Sequence, residues 1–253
     1  MTTAIGTWAR KGMTAGLGGL VAVAAAGCGT SAHSTAGQPA TSAPATAHGS
    51  ASPTASQTPA PNGATLNTLL LPASAMPSGY QLDPSGSRNT GQSLPQDIAQ
   101  TVPASQLCGK LDGTGWILVG GIATADFAEN DYVNSAKTAE LGQEIDQFTA
   151  GDAKQVMARI WRVFGRCGTF TQRSNGTTAT DTLVRSRLRH VGDGGIEAVL
   201  TAPVFYGGTT LVAIRVGNAV VTFIDSSPNS DLGAAAVTLA ERIVHEIRAL
   251  QNG

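Results

Sequence analysis

Apolar and polar positions divide the chain into three unequal parts. A basic pair, Arg10-Lys11, precedes an uninterrupted apolar, small-residue run from Gly12 to Gly27. Residues 29–63 then carry no Asp, Glu, Lys or Arg and no large apolar side chain. From about Ala64 onward periodic patterns appear. Leu66, Leu69, Leu70 and Leu71 suggest a short helical turn stopped by Pro72, and residues 71–80 read as a Pro- and Gly-punctuated connector. Residues 94–110 suggest one or two short helices, broken at Pro103, that deliver Cys108, followed by a turn at Gly113 to Gly115. Trp116 to Phe127 reads as a mostly apolar strand. A turn at Ala128-Glu129-Asn130-Asp131 would pair it with a second strand over 136–148. In that second strand Ala139, Leu141 and Ile145 share one face, and Glu140, Glu144 and Asp146 the other.

The strongest helical pattern runs from Ala150 to Arg166, where Ala153, Val156, Met157, Ile160, Trp161 and Phe164 recur on one face. Strand patterns follow over 169–172, 180–191, 195–203, 209–216 and 219–225, with Gly217-Asn218 as a hairpin turn. A helix over 232–250 closes the chain, with Leu232, Ala236, Leu239, Ile243, Ile247 and Leu250 as its buried stripe. Hairpin-linked strands with one inserted helix and one terminal helix predict an α+β domain over 64–253. Its expected form is a twisted antiparallel sheet with helices packed on one face and one disulfide.

The first 27 residues have the positive start, apolar core and small-residue end of a secretory signal. The core is too short for a comfortable transmembrane helix, which takes about 20 apolar residues. Ala25-Ala26-Gly27-Cys28 resembles the lipobox of bacterial lipoproteins, in which the cysteine receives lipid (palmitate among its acyl chains) and becomes the mature N-terminus. That resemblance implies a protein held on the outer face of the cell membrane through Cys28. Lipobox sequences usually carry an aliphatic residue where Ala25 stands, so ordinary cleavage and an uncleaved anchor are the competing readings. Residues 28–63 then form the lipidated cysteine and a disordered Ser/Thr/Ala/Pro-rich tether, because the segment cannot bury enough surface to offset its ordering entropy.

The chain has 3 cysteines and a formal net charge of −1. Assigning Cys28 to lipid leaves Cys108 and Cys167, which in an exported protein would form a disulfide; two buried free thiols are the competing reading. Neither cysteine has a second Cys or His at metal-ligand spacing. Without the signal, 14 basic residues stand against 17 acids. No basic run or stripe remains, which argues against nucleic acid, and a near-neutral surface argues equally against anionic headgroups bound by charge.

Three segments carry a family resemblance: the opening LLLPASAMPSGY, the amphipathic helix running into Arg166-Cys167-Gly168-Thr169-Phe170, and TLVAIRVGNAVVTFI followed by a long helix. The domain resembles that of actinobacterial secreted lipoproteins which share the extracytoplasmic sensor domain of some mycobacterial serine/threonine kinases. The resemblance makes Cys108 the partner of Cys167. It implies non-catalytic binding of an extracellular ligand or envelope component in a groove; a small or lipidic envelope ligand is expected, and no cofactor or metal is expected from the residues. Docking to an envelope protein or cell-wall partner is the alternative role.

Candidate chemistry is sparse. No Gly-x-Ser-x-Gly elbow is present, and His33, His48, His190 and His245 form no pair at ligand spacing. Asp126, Glu129, Asp131, Glu140, Glu144 and Asp146 gather around one predicted hairpin. Two carboxyls are all that glycoside hydrolysis needs, but a solvated polar strand face accounts for them more simply. Arg185, Arg187 and Arg189 alternate along one strand and could grip an anionic ligand, or merely protect the strand from pairing. Tyr206 could form an aromatic lip on a groove, or pack within its loop.

Overall fold

Alternation after Thr169 produces strands where it predicts them, and these strands build most of one sheet. The structure is a computed structural model that describes residues 61–90, 106–174, 177–202, 208–227 and 233–252. The strands are β1 (Tyr80–Asn89), β2 (Asp126–Asn134), β3 (Glu140–Gln147), β4 (Thr169–Ser174), β5 (Thr177–Leu188), β6 (Gly195–Thr201), β7 (Gly208–Val216) and β8 (Ala219–Ser227). The helices are α1 (Gly63–Leu69), α2 (Asp152–Arg166) and α3 (Gly233–Asn252). All eight strands join one antiparallel sheet in the order β1-β2-β3-β8-β7-β6-β5-β4. The α+β class and the antiparallel sheet are as expected from the sequence.

The helices, however, are divided between the two faces instead of gathered on one. Leu141, Ile145, Val212, Ile214, Val221 and Phe223 point to the face covered by α1 and α3. Leu183, Ile196, Ala198, Leu211, Ala213 and Ile224 point to the opposite face, covered by α2 and the 3-10 helix Thr114–Gly120. Both faces of the central strands are apolar, so each needs a cover. Short alternating strands do not reveal this, because period 2 marks only which residues share a face.

Three local expectations are corrected. The apolar run from Trp116 is not a strand: Thr114–Gly120 is a 3-10 helix buried against α2, ended by Gly121 at φ +59°. Short apolar runs do not distinguish strand from buried helix, and the flanking glycines favoured the turn geometry. Residues 128–131 are not a turn but the middle of β2, and the hairpin bend falls at 135–138, where Lys137 adopts φ +54° and Asn134 accepts from the Thr138 amide at 2.8 Å. Strand β1 was not foreseen, since its Pro84, Gly86 and polar positions hide the pattern; its register with β2 shifts between Asp83 and Arg88. Of the helices expected over 94–110, only the 3-10 turn Cys108–Lys110 falls within the described residues. The Gly217-Asn218 turn joins β7 to β8 as expected, with Gly217 at φ +58°.

Polar atoms fix two junctions that apolar packing would leave loose. Gln143 accepts from the Leu71 amide at 3.1 Å and donates to the Leu71 carbonyl at 2.7 Å, and Tyr132 Oη donates to that carbonyl at 2.6 Å. All three groups are buried, so the connector before β1 is held by hydrogen bonds whose loss would strand a desolvated amide. On the other face, Cys108 and Cys167 form a disulfide with Cα atoms 5.4 Å apart, tying the 3-10 turn to the end of α2. Trp116 stacks on Phe164 just inside this junction, ring centroids 5.7 Å apart.

The disulfide closes a loop with a sequence separation of 59. By loop-closure entropy it stabilises the fold by about 4 kcal/mol. Replacing both cysteines, Cys108→Ser with Cys167→Ser, should therefore lower the unfolding free energy by roughly 2–4 kcal/mol in denaturant titration. An unchanged midpoint would show that the bond does not constrain the unfolded chain.

Candidate functional site

The face of the sheet beneath α2 is electrically polarised from edge to edge. Antiparallel register places one lateral row across it: Arg88, Glu129, Glu144, Thr222, Ala213, Ile196 and Arg187 are successive cross-strand partners. The next row runs Asp131, Gly142, Ile224, Leu211, Ala198 and Arg185. Acids therefore stand on β2 and β3, arginines on β5, and apolar residues under α2 separate them. The separation is four strand steps from β3 to β5, roughly 19 Å.

At the acidic end, Glu129, Asp131, Glu144 and Asp146 are all buried. Glu129 and Glu144 are direct cross-strand partners, an arrangement that is destabilising when both are charged. Arg88 Nε donates to Glu129 Oε2 at 2.5 Å from the rim, where its own side chain stays half exposed. Gly86 and Gly142 flank Asp131 from β1 and β3, and a Cβ at either position would collide with its carboxylate. Among the described residues, Glu144 Oε2 and Asp146 Oδ2 have no hydrogen-bond partner. Burial, reinforced by the Glu129 charge, pushes Asp146 up to about 8. Burial together with Asp146 and Glu129 raises Glu144 well above the ordinary carboxylate range. One or both of these groups is thus a protonated acid at neutral pH.

The polar face of this hairpin was expected to be solvated, and it is instead interior. Asp126 is excluded from the cluster, because it lies on the other face, where it accepts from Thr90 Oγ1 at 2.9 Å. Glu140 sits half-buried at the end of β3. Among the described residues no group of three His, Cys, Asp or Glu side chains could hold a metal ion.

At the basic end the structure brings together residues that the sequence keeps apart. The guanidinium carbons of Arg185 and Arg187 lie over the Trp161 ring, 4.0 and 4.3 Å from its centroid. Arg185 Nη1 also donates to the Trp161 carbonyl. Gly165 makes this possible, since a Cβ there would strike the Arg185 guanidinium. These contacts clamp the carboxyl-terminal turns of α2, where positive charge complements the helix dipole. Arg162 and Arg166 continue the surface on the exposed side of the same helix, spaced i, i+4. Arg189 lies just past the end of β5 and is exposed. Residues 153–191 carry eight basic side chains and a single acid, Asp181, which is buried. That acid-poor stretch is the signal by which the patch could have been read from the sequence.

Cys28 and Tyr206, the remaining candidate residues, lie outside the described residues. His190 and His245 are exposed, His190 in a bend at φ +65°. Among the described residues no helix is long and apolar enough to cross a membrane.

No protein-family model matches the chain, and no curated protein matches it by sequence. Among solved structures, the fold is similar to the extracellular domain of PknH from Mycobacterium tuberculosis, with a TM-score of 0.52 and 17% identity. The match covers 76% of this chain and 99% of that domain, so the two share their fold across its whole extent.

The acidic cluster makes stability pH-dependent in an unusual direction. A carboxyl whose pKa rises on folding binds its proton more tightly in the native state. Its contribution is complete below the unfolded value near 3.8 and is lost as pH rises through about 8. The melting temperature should fall by about 5–10 °C between pH 5 and pH 8.5, and Asp146→Asn should flatten that slope and raise the melting temperature at the alkaline end. Thermal melts of the two proteins across this range test it; parallel slopes would remove Asp146 as the cause.

Proposed function

We propose that the chain is an exported lipoprotein, tied to the outer face of the cell membrane through lipid on Cys28, whose α+β domain binds without catalysis. The carrying observation is the Cys108–Cys167 disulfide within a domain of this size. Disulfides persist in oxidising, extracytoplasmic compartments and are rare where glutathione keeps thiols reduced. The shared fold with an extracellular domain supports the same location. The signal-like segment ending at Cys28 supplies a route there, and one further acyl-bearing residue is not needed, because a lipobox cysteine carries enough lipid for stable attachment.

A binding role fits what the polarised face offers. Its carboxyls are buried behind Arg88, and its arginines are posed on an aromatic ring. The second reading, a module that docks onto a larger partner, is favoured by the exposed arginines of α2 and β5.

Anchoring is tested by fractionation of cells producing the full chain. Cys28→Ala should move most of the protein from the membrane fraction to the soluble extracytoplasmic fraction. Undiminished membrane retention would defeat the lipoprotein reading. A domain that then fractionates with the cytoplasm would also defeat export.

A further inference from the structure

We infer that the arginine surface formed by α2 and β5 docks onto an anionic phospholipid leaflet. This inference rests on the exported, membrane-tied reading and adds the surface by which the domain would lie against that membrane.

The surface is cationic. Arg162, Arg166, Arg187 and Arg189 are exposed, and none of them makes an ion pair among the described residues. Elsewhere on the domain, Arg88, Arg215 and Arg248 are each matched to an acid. No acid interrupts residues 153–180. Exposed Ala158 stands one turn before Arg162 and exposed Gly165 directly before Arg166, so small residues neighbour these two arginines along the helix. Trp161 is half-buried, and the guanidinium groups of Arg185 and Arg187 stack on its ring. Guanidinium groups bind phosphate oxygens through two parallel hydrogen bonds, and both Arg and Trp favour the headgroup level of a bilayer.

The net charge near zero is a sum over two opposed regions, and so it does not describe this surface. The buried acids on β2 and β3 lie roughly 19 Å away, about two Debye lengths at physiological salt, and their field is screened there. The partner is chosen by the covalent geometry. Residues 29–62 join Cys28 to α1, and 34 residues span at most about 120 Å. From β2, where α1 packs, to β5 is five strand steps, roughly 24 Å. A chain anchored at Cys28 can therefore lay this surface on the same leaflet. The tether also supplies an effective concentration in the millimolar range, so weak contacts suffice.

The test uses the chain from Gly29 to Gly253, which contains every described element and no lipidation site, so it reads the surface independently of the anchor. Sedimentation with phosphatidylglycerol-containing vesicles should retain it at low salt, and release it at high salt or on pure phosphatidylcholine. Each arginine near an anionic surface strengthens binding about fivefold, so Arg162→Glu with Arg187→Glu should weaken it at least tenfold. Lys137→Glu with Arg242→Glu changes the net charge equally, away from the surface, and should stay within about twofold of the unmodified chain. Arg162→Gln with Arg166→Gln, which keeps helix propensity, serves if the first pair does not fold. Equal losses from both double variants, equal binding to neutral vesicles, or no binding to anionic vesicles would each overturn the proposal. Failure here with Cys28→Ala still releasing the chain from cells would leave the anchoring reading intact.

Discussion

The domain depends on the register of β8, which pairs with β3 on one side and β7 on the other. That strand joins two pieces that are each continuous in sequence: the β2–β3 hairpin with β1, and the β4–β7 meander. Because side chains alternate with a period of 2, a slip of one residue in β8 would turn Val221 and Phe223 away from α3 and Val220, Thr222 and Ile224 away from α2. Both faces are buried at this strand, so the slip would expose two cores at once. The lateral rows that carry charge from Arg88 to Arg187 exist only in the native register.

This constraint explains why opposite charges can be segregated on one face without collapsing onto each other. The acids and the arginines are fixed to different strands, and the span between them is filled by Leu211, Ala213, Ala198 and Ile196 beneath α2. The acidic end is interior and partly protonated, and the basic end faces out. The two ends obey different physics. Burial governs the first, where desolvation outweighs the attraction of Arg88. Solvent and salt govern the second, where the exposed arginines make no ion pair among the described residues.

Much of the fold was legible in the chain. Strands β4 to β8 announce themselves by alternation and by Gly217-Asn218, and α2 by its apolar stripe from Ala153 to Phe164. The disulfide pair follows once Cys28 is set aside. The region from Trp116 to Gln147 was misread for a physical reason: Glu129 and Asp131 carry the residue types of an exposed turn, yet they sit inside a strand whose polar face is buried. Composition reports what a side chain prefers, and here tertiary packing overrides it. Half of the arginine surface was visible as the alternation of Arg185, Arg187 and Arg189. The other half, Arg162 and Arg166, lies on a helix whose place over β5 no local pattern specifies. The Gly165 notch that lets Arg185 reach Trp161 reads, in sequence, only as a helix-end signal.

The late position of β8 also orders events in time. Glu140 pairs with Ser226, so the sheet closes through contacts between residues more than eighty positions apart. Until β8 has emerged, the β2–β3 hairpin and the β4–β7 meander have no common strand. Cys108 and Cys167 both precede that point, and α2 has no completed sheet on which to rest when they first meet. The architecture thus delays its own closure: a chain delivered across a membrane from its amino terminus would stay open until β8 arrives to complete it.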